Sequence, residues 1–168
     1  MLCLHPGYYT QKPLFFPYDR SPLCRAYIPY TKGEHYVCGG TNGGSLAAYA
    51  RLIETLDDRV EADLADGIIA RWHDESQLNR YLLDTQDPVR LLSPAFCRPE
   101  GWADFPYEPA FLVREKSSWL DVASVKGAAK PQNFVQRKWE AFRLNWLPYL
   151  WLARDTLLRR RIDLKNDL

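Results

Sequence analysis

Three reactive side chains stand in a row at His73-Asp74-Glu75, directly after Trp72. Together the four supply a ring face, a proton carrier and two anionic groups. A pyranose offers C–H faces that pack on an indole and hydroxyls that donate to carboxylates. The set therefore suits the holding of a sugar. A purely structural reading accounts for the same residues. Asp74 followed three positions later by Gln77 has the form of a capping box, and Glu75 then complements the helix dipole. Trp72 becomes a core aromatic and His73 its hydrogen-bonded partner. A cap, however, needs one carboxylate, and two are present.

The second unusual stretch is Gly39-Gly40-Thr41-Asn42-Gly43-Gly44. Four glycines in six residues imply close backbone approach or unusual dihedrals. The stretch reads as a flexible loop or as a strand end where a ligand touches main chain. It is a poor phosphate loop, because no Lys-Ser/Thr closes it.

The elements that must position these groups follow from local pattern. Leu2-Cys3-Leu4 reads as a short strand and His5-Pro6-Gly7-Tyr8-Tyr9 as a turn. Residues 10–22, with three prolines, read as a surface loop. Arg25-Ala26-Tyr27-Ile28-Pro29 and His35-Tyr36-Val37-Cys38 read as strands joined at Lys32-Gly33. Ser45 caps a helix that Asp66-Gly67 ends. Leu46, Tyr49, Ala50, Ile53, Leu56, Val60 and Leu64 recur at helical spacing as one apolar stripe, opposite a solvated acidic face. Ile68-Ile69-Ala70 is a short buried strand or bend leading to Trp72, and Leu78, Tyr81 and Leu82 give the next helix its apolar face. Arg90-Leu91-Leu92 and Ala110-Phe111-Leu112-Val113 read as strands, separated by an irregular stretch over 99–109.

Composition bounds the rest. The 168 residues fit a single well-filled core, with 46% apolar and 26% charged residues. A net charge of +1 provides no global field for nucleic acid, and none is expected as a partner. Cys3, Cys24, Cys38 and Cys97 have neither metal-ligand nor redox spacing, which points to free thiols in a reducing compartment. No signal peptide and no bilayer-length apolar run is visible. Residues 116–132 read as a linker. Residues 133–168 carry eight basic and four acidic side chains, so +4, leaving −3 for the remainder. Their interleaved aromatics, with Pro148 as a break, fit an amphipathic helical hairpin packed on the domain. The same pattern fits a basic segment on an anionic membrane face, and RNA binding is a weaker third option.

In order and spacing, the chain from residue 4 to 94 resembles family 6 of the retaining glycosyltransferases, the histo-blood-group A/B and α1,3-galactosyltransferase type with its bacterial relatives. The likeness is carried by Leu4-His5-Pro6-Gly7-Tyr8-Tyr9, Ala26-Tyr27-Ile28-Pro29, Gly39 to Ser45, Ala65-Asp66-Gly67-Ile68, Trp72-His73-Asp74-Glu75-Ser76, Leu78-Asn79-Arg80-Tyr81-Leu82-Leu83 and Leu92-Ser93-Pro94, with one residue inserted between 85 and 88. The resemblance implies an α/β fold, the C-terminal part of a GT-A-type domain, whose mixed sheet is flanked by helices. Residues 1–115 form its acceptor-binding and catalytic part, followed by the linker 116–132 and the helical tail 133–168.

It also implies transfer of galactose or N-acetylgalactosamine from a UDP-sugar, with retention, to a galactosyl glycan or glycolipid. Glu75 falls on the nucleophile or cation-stabilising position and also contacts acceptor. His5 and Trp72 fall on acceptor-binding positions. Gly7, Cys38, Gly39, Gly40, His73 and Asp74 fall on the donor side, where the small Gly7 and Gly40 lean towards the N-acetylated sugar. Departures are equally clear. No Asp-X-Asp or Asn-X-Asn occurs, so the usual ligands of a divalent metal such as manganese are not in this chain, and no metal site is assigned. An acidic acceptor-binding residue expected after Ser93-Pro94 is replaced by Pro99, with Glu100 beside it. The C-terminal segment that closes over the donor is only loosely echoed by Arg114-Glu115-Lys116. The nucleotide-binding half is expected on a longer polypeptide or supplied separately, and a catalytically inactive carbohydrate-binding remnant is the alternative. The expected location is cytoplasmic, with the tail open to peripheral contact on the inner membrane face.

Overall fold

A computed structural model describes residues 1–115 together with 120, 146, 149, 150, 153 and 154. The chain divides into two compact units, Met1–Glu115 and Lys116–Leu168. Linker 116–132 and helical tail 133–168 fall almost wholly outside the described residues. The strands, the helices over Leu46–Ala65 and His73–Asp84, and the site belong to the first unit.

Strand β1 (Leu2–Leu4) is the axis of a three-stranded sheet. It pairs antiparallel with β2 (Val37–Asn42) and parallel with β3 (Leu91–Leu92), which makes the sheet mixed. Leu2 faces Asn42 and Leu4 faces Val37, so two steps along β1 oppose five along β2. The surplus is a bulge, and Gly39 and Gly40 lie in it. The glycine stretch thus begins as strand rather than loop. Two minimal strands, β4 (Arg98–Pro99) and β5 (Leu112–Val113), pair in parallel.

Helix α1 (Leu46–Ala65) starts at Ser45, whose hydroxyl accepts from Ala48 N–H at 3.4 Å. It ends through Gly67, at φ +70°, a conformation that favours glycine. Its buried face is not the expected apolar stripe. Leu52 and Asp63 are buried, whereas Leu46 is 88% exposed and Tyr49, Ile53 and Leu64 are also exposed. The inward face runs Leu52, Leu56, Arg59, Asp63, and it is partly polar because Asp63 is fully hydrogen-bonded. Its carboxylate accepts from Arg25 N–H (2.9 Å), Gln77 Nε2 (2.8 Å) and the Cys24 thiol (3.3 Å). A buried charge is tolerable when so satisfied.

Helix α2 (His73–Asp84) lies against α1 and β2. Leu78 and Tyr81 join Leu2, Val37 and Leu52 in the central apolar cluster. Each such side chain contributes about 1.5–3 kcal/mol of burial.

The structure departs from local pattern in several places. Residues 10–22 are not a surface loop: Phe16, Tyr18 and Asp19 are buried, and the two rings pack with Ile28 and Tyr36. Residues 25–29 form no strand, because the Asp19 carbonyl and Asp63 carboxylate take their N–H groups in place of a neighbouring strand. Residues 68–70 are likewise irregular, with Ile69 exposed and Ala70 buried. Trp72 is the α2 cap residue, and no side chain caps it. Gln77 is drawn to Asp63 instead, and Ser76 Oγ accepts from Trp72 N–H at 2.9 Å. Nor is Trp72 a core aromatic, being 45% exposed.

Candidate active site

The α2 start is held from three directions. Asp19, buried within segment 10–22, accepts from Arg71 N–H at 2.9 Å and fixes the chain just before Trp72. His73 then takes φ +49°, a left-handed value that costs a non-glycine residue about 1–2 kcal/mol. One turn further on, Asn79 clamps the helix to β2. Its Oδ1 accepts from Val37 N–H, and its Nδ2 donates to the Val37 and Glu75 carbonyls, all within 2.8–2.9 Å. The side-chain amide thus behaves like a strand neighbour for a helix that has none.

Glu75 is the centre of the arrangement. Tyr36 O–H donates to its Oε1 at 2.7 Å, and Gly39 N–H donates to its Oε2 at 2.9 Å. Both oxygens are therefore oriented, and the first turn of α2 adds its partial positive charge. Burial, reinforced by the Glu75 charge, pushes the Tyr36 phenol far up, so Tyr36 stays protonated and remains a donor. Gly39 is required for space rather than for φ. A Cβ there would lie 3.0 Å from Asp74 Oδ2 and 3.5 Å from Glu75 Cβ. The bulged strand and the paired carboxylates thus meet without an intervening side chain.

His5 follows β1, and its N–H donates to the Tyr36 carbonyl at 2.9 Å. Its Nδ1 accepts from Gly7 N–H at 3.0 Å, which leaves the ring proton on Nε2. Burial lowers the His5 pKa, and the nearby Glu75 charge opposes that shift. The ring packs on Tyr8 (4.8 Å) and edge-on to Tyr36 (5.6 Å). A neutral imidazole with its proton on Nε2 is a donor suited to a hydroxyl or ether oxygen.

The structure thus brings together Glu75, Asp74, Gly39, His5 and Gly7. Trp72 and His73 flank them at the exposed helix start, with the Arg71 guanidinium 5.6 Å from the Trp72 ring. Gly40 is exposed, and a Cβ there would meet nothing within 4 Å. The Cys38 thiol is turned inward, packed with Cys3 and Cys97. Its hydrogen bond with Cys3 and its burial push its pKa far up. Tyr36, Asn79 and Asp19 hold the Glu75 region in place, and residue type alone did not single them out. The signal was faint: an aromatic beside the glycine strand, and an asparagine one turn after the glutamate. Among the described residues, no group of three or more His, Cys, Asp or Glu side chains could hold a metal ion.

The model of Glycosyltransferase family 6 matches residues 1–119. The chain belongs to that family. Among family 6 relatives, histo-blood group ABO system transferase 1 of Rattus norvegicus is 43% identical over 102 residues, covering 59% of this chain and 29% of its own length. Globoside alpha-1,3-N-acetylgalactosaminyltransferase 1 of Gallus gallus is 37% identical over 113 residues, covering 66% and 32%. O-antigen biosynthesis glycosyltransferase WbnI of Escherichia coli is 34% identical over 119 residues, covering 69% and 49%. The chain therefore spans about a third to a half of these family 6 transferases, and the match includes the whole Glu75 site.

Proposed function

We propose that this chain carries the catalytic and acceptor-binding part of a retaining hexosyltransferase with a GT-A-type fold. It moves galactose or N-acetylgalactosamine from a UDP-sugar to a galactosyl-containing glycan. The observation that carries the reading is the Glu75 carboxylate, held at both oxygens by Tyr36 and Gly39 beside Asp74. In this reading Glu75 faces the anomeric carbon as the bond to UDP breaks. It either forms the glycosyl ester or balances the positive charge of the oxocarbenium ion, and the acceptor hydroxyl then adds on the leaving-group side, which gives retention. Asp74 accepts from donor-sugar hydroxyls. His5 donates its Nε2–H to the acceptor, whose apolar face packs on Trp72. The tight Asp74–Gly39 contact keeps the donor sugar above the strand bulge. The uridine diphosphate is bound by a nucleotide-binding half outside this chain's residues, on one polypeptide or as a second chain.

Glu75→Gln keeps the shape and both partners but removes the charge. Transfer from UDP-galactose or UDP-N-acetylgalactosamine to a galactoside, measured with the nucleotide-binding half present, falls by about 10²–10³-fold, the scale of losing one charge-stabilising group. Undiminished transfer in folded Glu75→Gln would sink the role assigned to Glu75. Acceptor binding weakened by Trp72→Ala, without transfer in any protein, would favour a carbohydrate-binding module instead.

A further inference from the structure

Three buried thiols meet where β1, β2 and the turn after β3 converge, and the proposed reaction leaves them unused. Cys3 lies in β1, Cys38 in β2 and Cys97 at the end of the turn 94–97. Leu92 and Phe96 pack against them. Each thiol is hydrogen-bonded with the other two.

The three are not equivalent. Hydrogen bonds from Cys3 and Cys38 hold Cys97 well below the ordinary thiol pKa, and the Thr41 hydroxyl adds to them, so Cys97 is the sulfur that carries negative charge. Hydrogen bonds to Cys3 and Cys97 push the Cys38 thiol far up, and it remains a donor. Cys3 is also tied to the Leu4 and Ser93 carbonyls, at 3.4 and 3.3 Å. Cys97 keeps 7% of its surface open, whereas Cys3 is fully buried. The remaining cysteine is an internal contrast. Cys24 belongs to a different cluster and donates its thiol to the Asp63 carboxylate at 3.3 Å, and burial pushes its pKa up to about 12.

We propose that Cys3, Cys38 and Cys97 form a peroxide-reactive site that closes reversibly as a Cys38–Cys97 disulfide. The Cys97 thiolate attacks one oxygen of hydrogen peroxide and the O–O bond breaks. The departing hydroxide takes from solvent the proton that Cys97 had released, and becomes water. Cys97 is then a sulfenic acid. Cys38 gives up its proton and attacks the Cys97 sulfur, the S–O bond breaks, and the hydroxyl leaves with that proton as a second water. Two thiols are oxidised and one peroxide is reduced. Cys38 closes the bond because its thiol engages the other two sulfurs alone among the described residues, whereas Cys3 is held by two carbonyls.

The new bond is shorter than the hydrogen-bonded contact it replaces, so it draws β2 towards the turn at Cys38. Cys38 stands between Val37, which Asn79 holds, and Gly39, whose N–H holds Glu75 Oε2. Closure therefore loosens the hold on Glu75. That consequence for transfer rests on the role proposed for Glu75.

The reduced, folded 168-residue protein is treated with hydrogen peroxide, alkylated with N-ethylmaleimide, digested and read by mass spectrometry. Two of the four thiols disappear, a joined Cys38–Cys97 peptide pair appears, and Cys3 and Cys24 remain alkylated. Dithiothreitol restores all four. Four untouched thiols, Cys97 carried to sulfinic acid without a disulfide, or a bond that includes Cys3 or Cys24 overturns the proposal. With the nucleotide-binding half present, oxidation lowers transfer by about tenfold or more, the scale of a reacting group displaced by less than an ångström, and dithiothreitol returns it. Peroxide leaves Cys97→Ser at its own untreated rate, and Cys97→Ala takes its place should that variant fail to fold. A disulfide that forms with transfer unchanged overturns the coupling to Glu75. Failure of the catalytic reading shows separately, as transfer that survives Glu75→Gln, because the disulfide forms without any chemistry at Glu75.

Discussion

At the scale of single residues, the site is a set of local compromises. His73 occupies φ +49° without being glycine. Any L side chain is strained at that angle, so His73→Gly should be more stable than His73→Ala by about 1 kcal/mol, measured by urea unfolding. Equal stabilities would mean that the angle carries no strain. His5 illustrates a different compromise. Burial depresses its pKa below the ordinary 6.5, so in the window between the two values the unfolded chain binds more protons than the folded one. Stability from this group is therefore full above about pH 6.5 and falls as the pH drops towards the depressed folded value. Over that window the wild-type protein should lose more stability than His5→Gln, compared by melting temperature at pH 7.5 and 5.5. Parallel losses in the two proteins would contradict the depression.

At the scale of elements, the decisive contact is between α2 and β2. The strand bulges through Gly39 and Gly40 where the helix presents Asp74 and Glu75, and Asn79 ties the two together with two hydrogen bonds, from Val37 N–H and to the Val37 carbonyl. Truncating Asn79 leaves the buried Val37 N–H and C=O without partners. Each such group costs about 1–3 kcal/mol, so Asn79→Ala should destabilise the fold by about 3 kcal/mol in denaturant unfolding. It should also weaken transfer, since Gly39 N–H would no longer be held against Glu75. Asn79→Asp, which keeps an acceptor for Val37 N–H but loses the donor, should fall between. A loss under about 1 kcal/mol in Asn79→Ala would show that β2 is held by its pairing with β1 alone. Helix α1 is tied in by a different polar anchor, Asp63, which joins it to Cys24, Arg25 and Gln77.

At the scale of the whole molecule, the described unit leaves an apolar strip exposed along α1 at Leu46, Tyr49, Ile53 and Leu64. No helix among the described residues is long and apolar enough to cross a membrane. We propose that the segment 133–168, with its net charge of +4, makes peripheral contact with an anionic membrane face and brings the site near lipid-linked acceptors. Basic side chains near such a surface contribute about 1 kcal/mol each, and added salt screens them. The protein should sediment with phosphatidylserine-containing vesicles at low salt and be released at high salt. Equal sedimentation after deletion of 133–168 would count against this role.

Local order was enough to read much of the site. The carboxylate pair at a helix start, the Ser45 cap, the Gly67 stop and the strand Leu2–Leu4 all depend on neighbours a few residues away. The order of the family motifs needs only the chain itself. Tertiary structure decided the rest, because the forces concerned act between distant positions. Tyr36 and Gly39 reach Glu75 across 39 and 36 residues, and Asn79 reaches Val37 across 42. Helical periodicity marks which residues share a face, but not which face the sheet covers. The polar anchor at Asp63 therefore turned α1 so that Leu52 is buried and Leu46 is not. Three cysteines without meaningful spacing became one buried cluster, because β1, β2 and the turn after β3 converge. At Trp72 to Glu75 the sequence determined which groups can react. The fold determined that Glu75 is held at both oxygens, because its two donors come from a strand and a tyrosine that no local pattern places beside it.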